Sequence, residues 1–577
     1  MTREAREFLF GAAAIVAAVW AVWFQTGGFE YILLDDNLYV WENEHVAGGF
    51  GWASFAGVCR DLTQGGIWMP FTSLTYMLDI SLFGAGPGPL HLASVAWHSV
   101  NAVLVFYLIY ALTGRRSPFA AFVAAAFWAL HPQRCESVAW IASRKDLTFT
   151  FWTLVGLIAW RRQTAARVAL AYLCMALGCL SKPTAMVFPA LAFCVEWTVR
   201  GRGVFLRPFR QALRYAPFVL MAAATGALAA YSQTHVPGAE TRGLVEGYGT
   251  FAWRSLNAAV SLGLYFLQLV CPYGVHIVYR PNTDGVPFGA AAGLLALAAA
   301  AGALVWAYRT KRGGVLLWAS ALWFLAAIGP TLGVAGGFGY HARADRFLYL
   351  PTVAVSVVLA AGLVRAGAGR WWRAACLAGV AAYAVAAAVN ARSYRNDYTL
   401  FSRVCAFDGE HPIALQRVGM ELCTRFGDPD GGIAAFRRAL ASNPSDQVTA
   451  GQLCYTLARR GRAEDEAEIL DLCEPLRREP ALDEKGLATE ALGIVMMRRR
   501  KWDDAIRYFT ASLDAAKRRH AADETMVQLA MCHYNKGEVA RAEELFEDLV
   551  ALGTVASVRE RAAQALATIR SRREAGR

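Results

Sequence analysis

The sequence predicts an all-α protein in two parts, a polytopic membrane domain over 1–392 and a soluble helical-repeat solenoid over 393–577. Three observations predict it. Of 577 residues, 56% are hydrophobic and only 18% charged, too apolar for a soluble chain of this length. The apolarity is uneven: residues 1–392 form a series of hydrophobic runs, whereas the remainder is rich in Arg, Glu, Asp and Ala. In that remainder, small residues and phenylalanines recur at helical offsets.

The N-terminal run, near 7–25, is long and lacks an A-x-A cleavage site, so it reads as an uncleaved first span rather than a signal peptide. Further runs lie near 91–112, 117–131, 147–160, 167–181, 184–199, 215–232, 251–270, 288–307, 315–334, 347–364 and 374–391. Arg115/Arg116, Arg161/Arg162, the arginines from Arg200 to Arg214, Arg309/Lys311/Arg312 and Arg365 to Arg373 mark cytoplasmic loops. All twelve runs cannot cross and also satisfy that pattern. Segment 251–270, which holds Arg254 and Asn257, is expected to make no net crossing, as a re-entrant or interfacial helix. About eleven spans follow, with the N-terminus cytoplasmic and the repeat domain periplasmic, outside an inner membrane. Twelve crossings, the alternative, would put the repeats in the cytoplasm.

The net charge of +12 resides largely in short loops such as "RGRGVFLRPFR" (200–210), which argues for topology signals and against nucleic acid as a partner. Twelve cysteines include no C-x-x-C pair. Seven lie in or beside apolar runs, where Cys acts as a small hydrophobe.

In the second part, Gly432, Phe436, Ala439 and Pro444 stand at the offsets of the tetratricopeptide signature. Ala505 and Phe509 repeat it after Leu492 and Gly493, and Ala542 and Phe546 repeat it after Ala530. Phe509 and Phe546 are 37 residues apart; one degenerate repeat near 450–480 brings the number to about four. Such a stack offers a concave face to a peptide or a partner helix, or serves only as a rigid scaffold.

Polar landmarks gather on the predicted outer face. The first outer loop, 26–90, opens with Asp35 and Asp36 and continues through amphipathic stretches expected to lie along the membrane surface. Either acid alone also fits a helix cap. His91 and His98 share one side of the second span, as a functional pair or as satisfied core residues. In "HPQRCESVAWIASRKDL", a helix ends at His131, and Glu136, Arg144, Lys145 and Asp146 follow. Lys182, Arg280, Asp345 and Arg346 fall on the same side. Arginine and lysine there either snorkel to headgroups or join a paired network suited to a lipid-linked phosphate.

Taken together, "DDNLYVWENEHV", the W-x-P-x-T-x-L-x-Y-M-L-D-x-x-L-F-G run (68–84), "HPQRCESVAWIASRKD", "SKP" and "ADRFLYLP" resemble the bacterial relatives of the transmembrane and tetratricopeptide-repeat O-mannosyltransferases, of the GT-C glycosyltransferase superfamily. One departure is Met69, where many relatives carry His. The resemblance implies a polyprenyl- or dolichyl-phosphate-linked sugar as donor and an acid of the first outer loop as catalytic base, Asp35 first and Asp36 second. A single inverting displacement needs one such carboxylate to take the acceptor's proton, and fixed cations for the departing phosphate. Arg144, Lys145 and Arg346 are the expected cations. His131, Glu136, Lys182 and Asp345 join them in the donor site, with His91, His98, Asp146 and Arg280 as further candidates. No His/Asp cluster has metal-ligand spacing, so no metal and no cofactor is expected. Repeats fused beside such a site favour a polypeptide Ser/Thr acceptor or a partner protein. A non-catalytic envelope scaffold and a transporter are the rival classes; a transporter would place its charges midway along the spans.

Overall fold

Proline opens five of the membrane-domain helices, at Pro70, Pro87, Pro118, Pro208 and Pro287, where its missing N–H costs nothing. Ser117 and Thr250 cap their helices by accepting the Ala120 and Trp253 N–H groups. The computed structural model describes residues 3–575 apart from 206–207, 236–249, 273, 281–286, 312–313, 335–342, 368, 479–482, 484–485, 517–521 and 554. Arg312 and parts of the segments on either side of Arg280 and before Asp345 lie outside the described residues. Among the described residues all regular structure is helical.

The chain divides into two units, Met1–Leu400 and Phe401–Arg577. The boundary falls a few residues beyond 392 because segment 393–400 bonds back to the first loop: the Glu30 N–H donates to the Arg395 carbonyl, and the Leu33 N–H to Asp397.

Unit 1 contains α1 (Arg3–Trp23), α2 (Trp52–Arg60), α3 (Pro70–Phe83), α4 (Pro87–Leu112), α5 (Pro118–Ala129), α6 (Cys135–Ala139), α7 (Arg144–Trp160) and α8 (Ala165–Cys179). It continues through α9 (Phe188–Arg200), α10 (Pro208–Thr234), α11 (Phe251–Val270), α12 (Pro287–Arg309), α13 (Val315–Ile328), α14 (Thr352–Ala366) and α15 (Arg370–Ala391). Five described helical segments are long and apolar enough to cross a membrane: Glu4–Gly28, Pro87–Leu112, Phe209–Thr234, Gly289–Arg309 and Arg370–Arg395. Four shorter apolar helices accompany them.

Two elements turn polar residues inward. Segment 251–270 is one uninterrupted helix, α11. It pairs with α12 at bare backbone, since a Cβ on Gly263 would overlap the Gly293 carbonyl oxygen. Its polar residues Asn257, Ser261 and Gln268 are buried inside the unit. In α3, the polar face of Thr72, Thr75 and Tyr76 turns inward while Leu78, Leu82 and Phe83 are exposed. This helix packs against α4 and α7.

Helix α16 (Asp397–Phe407) runs across the unit boundary. Unit 2 then stacks four helix pairs: α17 (Pro412–Thr424) with α18 (Pro429–Ser442), α19 (Gln447–Arg460) with α20 (Glu466–Arg478), α21 (Leu487–Arg498) with α22 (Trp502–Ala516), and α23 (Ala522–Lys536) with α24 (Val539–Leu552). A terminal helix, α25 (Ala556–Ala575), packs on α24. The second pair is the degenerate repeat. Phe436, Phe509 and Phe546 are fully buried. Gly419 and Gly493 leave room for two of these rings: a Cβ on either would lie 2.7 or 2.8 Å from Phe436 or Phe509.

Candidate active site

The first loop turns back on itself at Asp36. One carboxylate oxygen accepts the Ile32 N–H at 2.8 Å and the other accepts the Ala142 N–H at 2.7 Å, tying the loop to the segment before α7. Asp36 is fully buried, and desolvation raises its proton affinity to about 7, against the two N–H donors that favour the charged form. The neighbouring charges of Asp35 and Asp397 push in the same direction as burial.

Asp35 differs in kind. It is half-buried, and among the described residues its carboxylate accepts no hydrogen bond. It comes first among the charged neighbours of Lys145, ahead of Lys182, Arg346 and Asp146. The Lys145 ammonium lies 4.3 Å above the Tyr39 ring and 6.0 Å from that of Trp140. No described carboxylate pairs directly with it.

The remaining charges around Lys145 are matched. Glu136 accepts from the Arg346 guanidinium and, at 2.9 Å, from the Arg346 N–H. Lys182 donates to Asp146 at 2.6 Å. Arg346 also stacks over Trp140 and Phe347. Asp35, Glu136, Lys145, Asp146, Lys182 and Arg346, from four separate segments, thus form one cluster of three acids and three cations. Two of the cations are neutralised in place, which leaves Lys145 facing Asp35.

Asp345 adjoins this cluster. It accepts the Tyr279 hydroxyl at 3.0 Å, and burial followed by Glu136 pushes its proton affinity up to about 8. Arg343 stacks on Tyr279 at 4.0 Å, and Arg280 follows in the same segment, half-buried.

Four expected site residues are placed elsewhere. Arg144 is fully buried and committed: Nε donates to Ser94, one Nη pairs with Asp79, the other donates to the Leu90 carbonyl at 2.5 Å, and the guanidinium covers Tyr76. It clamps α3 and α4 to the start of α7 and is no open phosphate ligand. His131 accepts the Gln133 N–H at 3.2 Å, faces the Leu269 carbonyl and stacks on Tyr383, so it caps a turn. His98 bonds Tyr349 at 2.7 Å and the Ala129 carbonyl at 2.9 Å, a satisfied core histidine. His91 bonds the Glu30 carbonyl at 3.2 Å and steadies the first loop.

Beside the Arg144–Asp79 pair, α3, α4 and α7 enclose an apolar cleft of about 820 Å³. Phe83, Leu92, Trp97, Val100 and Phe151 line it, and Asp79 is the charged residue in its wall.

Asp79, Tyr39, Tyr279 and Asp397 escaped the sequence reading. Asp79 lies inside the quoted "YMLD" motif and Tyr39 inside "DDNLYVWENEHV", which were signals, and Tyr279 directly precedes Arg280; Asp397 carried none.

No family model matches the chain. Over 167 residues the sequence is 30% identical to Protein O-mannosyl-transferase Tmtc1 of Drosophila melanogaster, covering 28% of this chain and 19% of that protein. The chain therefore spans about one fifth of that relative's length. The name is that of the family the motifs resemble. Crystal structures of ArnT from Cupriavidus metallidurans, bound to undecaprenyl phosphate and in the apo state, align with 78% of this chain and with 81% and 80% of theirs, at 15% and 16% identity and TM-scores of 0.39 and 0.38. Yeast Tom70 aligns at 10% identity with 81% of this chain and 96% of its own, at a TM-score of 0.21. Scores this low leave the fold to rest on this chain's own helices.

Proposed function

We propose that this membrane protein is a glycosyltransferase that moves a sugar from a polyprenyl-phosphate carrier to an extracytoplasmic hydroxyl, with Asp35 as general base. The observation that carries the reading is the contrast inside the cluster: every carboxylate but Asp35 is tied to a cation or to backbone N–H, and Asp35 alone is open beside Lys145. The similarity to Tmtc1 supports the reaction class.

In the proposed reaction the acceptor oxygen attacks the anomeric carbon from the side opposite the phosphate. Its proton passes to Asp35 as the new C–O bond forms. The bond from the anomeric carbon to the phosphate oxygen breaks, its electron pair leaves with the polyprenyl phosphate, and configuration inverts. Lys145, held over aromatic faces in a water-poor site, meets the charge growing on that phosphate without a metal ion, and Arg346 and Lys182 stand behind it. The apolar cleft beside Asp79 takes the first isoprene units of the carrier. A polypeptide Ser or Thr is the proposed acceptor, because helical-repeat stacks of the kind that unit 2 forms bind extended chains.

The test uses purified full-length protein in nanodiscs with radiolabelled polyprenyl-phosphate sugars and peptide acceptors. D35N is expected to lose at least about a hundredfold in kcat while still binding donor. K145M is expected to weaken donor binding as well as transfer. Transfer by D35N at the wild-type rate would remove Asp35 from the chemistry, and failure of the wild type with every donor would favour the scaffold reading.

A further inference from the structure

Asp397 takes no part in the reaction above, yet it grips the loop that carries the base. Both of its carboxylate oxygens lie 3.1 Å from the Leu33 N–H. Two residues earlier, the Arg395 carbonyl accepts the Glu30 N–H at 2.9 Å. From the other side, Asp36 takes the Ile32 and Ala142 N–H groups. The stretch 30–36 is therefore anchored at Glu30, Ile32, Leu33 and Asp36, and the one acid it leaves untied is Asp35. Asp397 is 5% exposed and near enough to Asp36 for the two charges to repel. Placing a second buried carboxylate on this turn is electrostatically unfavourable, and backbone hydrogen bonds to the charged form offset that.

We infer that Asp397 is a positioning residue for Asp35: by holding the Leu33 peptide it sets the direction in which the Asp35 carboxylate leaves the turn. This rests on the reading of Asp35 as the base. Leu33 lies two residues before Asp35, so a peptide rotation at Leu33 swings the carboxylate, and a proton acceptor displaced by about an ångström loses much of its effect. Asp397 is also the first residue of α16, so the loop is pinned to the helix that leads into unit 2. Charge is not what the role requires; an oxygen at that place is.

The experiment measures kcat and donor KM for full-length D397A, D397N and D397E beside wild type and D35N. D397A is expected to lose about tenfold or more in kcat, with donor KM within about twofold of wild type. D397N keeps an amide oxygen that can accept the Leu33 N–H, and is expected to recover most of that loss. Wild-type kcat in D397A, a loss confined to KM, or D397N as impaired as D397A would each overturn the inference. If D397A fails to fold, D397N is compared with D397E, whose longer arm displaces the acceptor: D397N is expected to be the faster at equal KM, and the reverse order overturns the positioning role. A D35N variant as active as wild type would instead sink the catalytic reading, and an inactive D35N beside a fully active D397A would sink only this one.

Discussion

Asp35 and Asp36 are the same side chain one peptide apart, and their surroundings give them opposite work. Asp36 holds two backbone N–H groups and no solvent; Asp35 holds neither. Because burial raises the Asp36 proton affinity to about 7, the folded protein keeps that proton where an unfolded chain, with an ordinary carboxyl near about 4, has lost it. The Asp36 contribution to stability is therefore greatest at low pH, falls as pH rises from about 4 to about 7, and is flat above. Asp345, raised to about 8, acts in the same direction. Wild-type protein in detergent is expected to melt at lower temperature at pH 8 than at pH 5, and D36N to show a smaller drop. D36N also gives up one acceptor oxygen, so at pH 5 it is expected to be less stable by about 1–3 kcal/mol; equal melting curves would contradict both expectations. The two acids were legible in the sequence as a pair. Their division of labour was not, because the group that sorts them, the Ala142 N–H, lies far along the chain. The same limit applies to Arg144: its position before a span was readable, whereas its partner Asp79 comes from a different helix.

Element-scale features were more open to reading where the pattern is local. The offsets of Phe436, Phe509 and Phe546 announced helix pairs, and the fully buried rings sit where those offsets require. Gly493 gives a sharp test of this packing. On an exposed helix face, replacing Gly by Ala stabilises by roughly 1 kcal/mol. Here the added Cβ would lie 2.8 Å from the Phe509 ring, so G493A is expected to destabilise unit 2 by about 1–3 kcal/mol, read as an earlier unfolding transition of the full-length protein. Where hydrophobicity has to distinguish lipid from protein, the sequence is silent. Helix α3 turns its apolar side outward, and the polar residues of α11 are buried inside the unit, so neither amphipathicity nor polarity identified what those faces meet.

For the whole molecule, two-part organisation was readable from composition alone, since a change in hydropathy needs no contact information. Orientation rests on the basic loops. With the proposed odd number of crossings, an alkaline phosphatase fused after Arg577 is expected to be active and one fused in the loop at Arg309 inactive; the reverse result at the C-terminus would select twelve crossings and place the repeats in the cytoplasm. A single-chain site assembled from segments near 35, 136, 145, 182 and 346 also depends on helices that keep their spacing. Gly263 and Gly293 show how little slack there is. The hairpin they join carries Tyr279 and Arg280 at its tip, so any side chain inserted between those two glycines would act as a wedge at the hinge of a lever. Damage deep in an unremarkable apolar stretch would then surface as a tyrosine that no longer reaches Asp345.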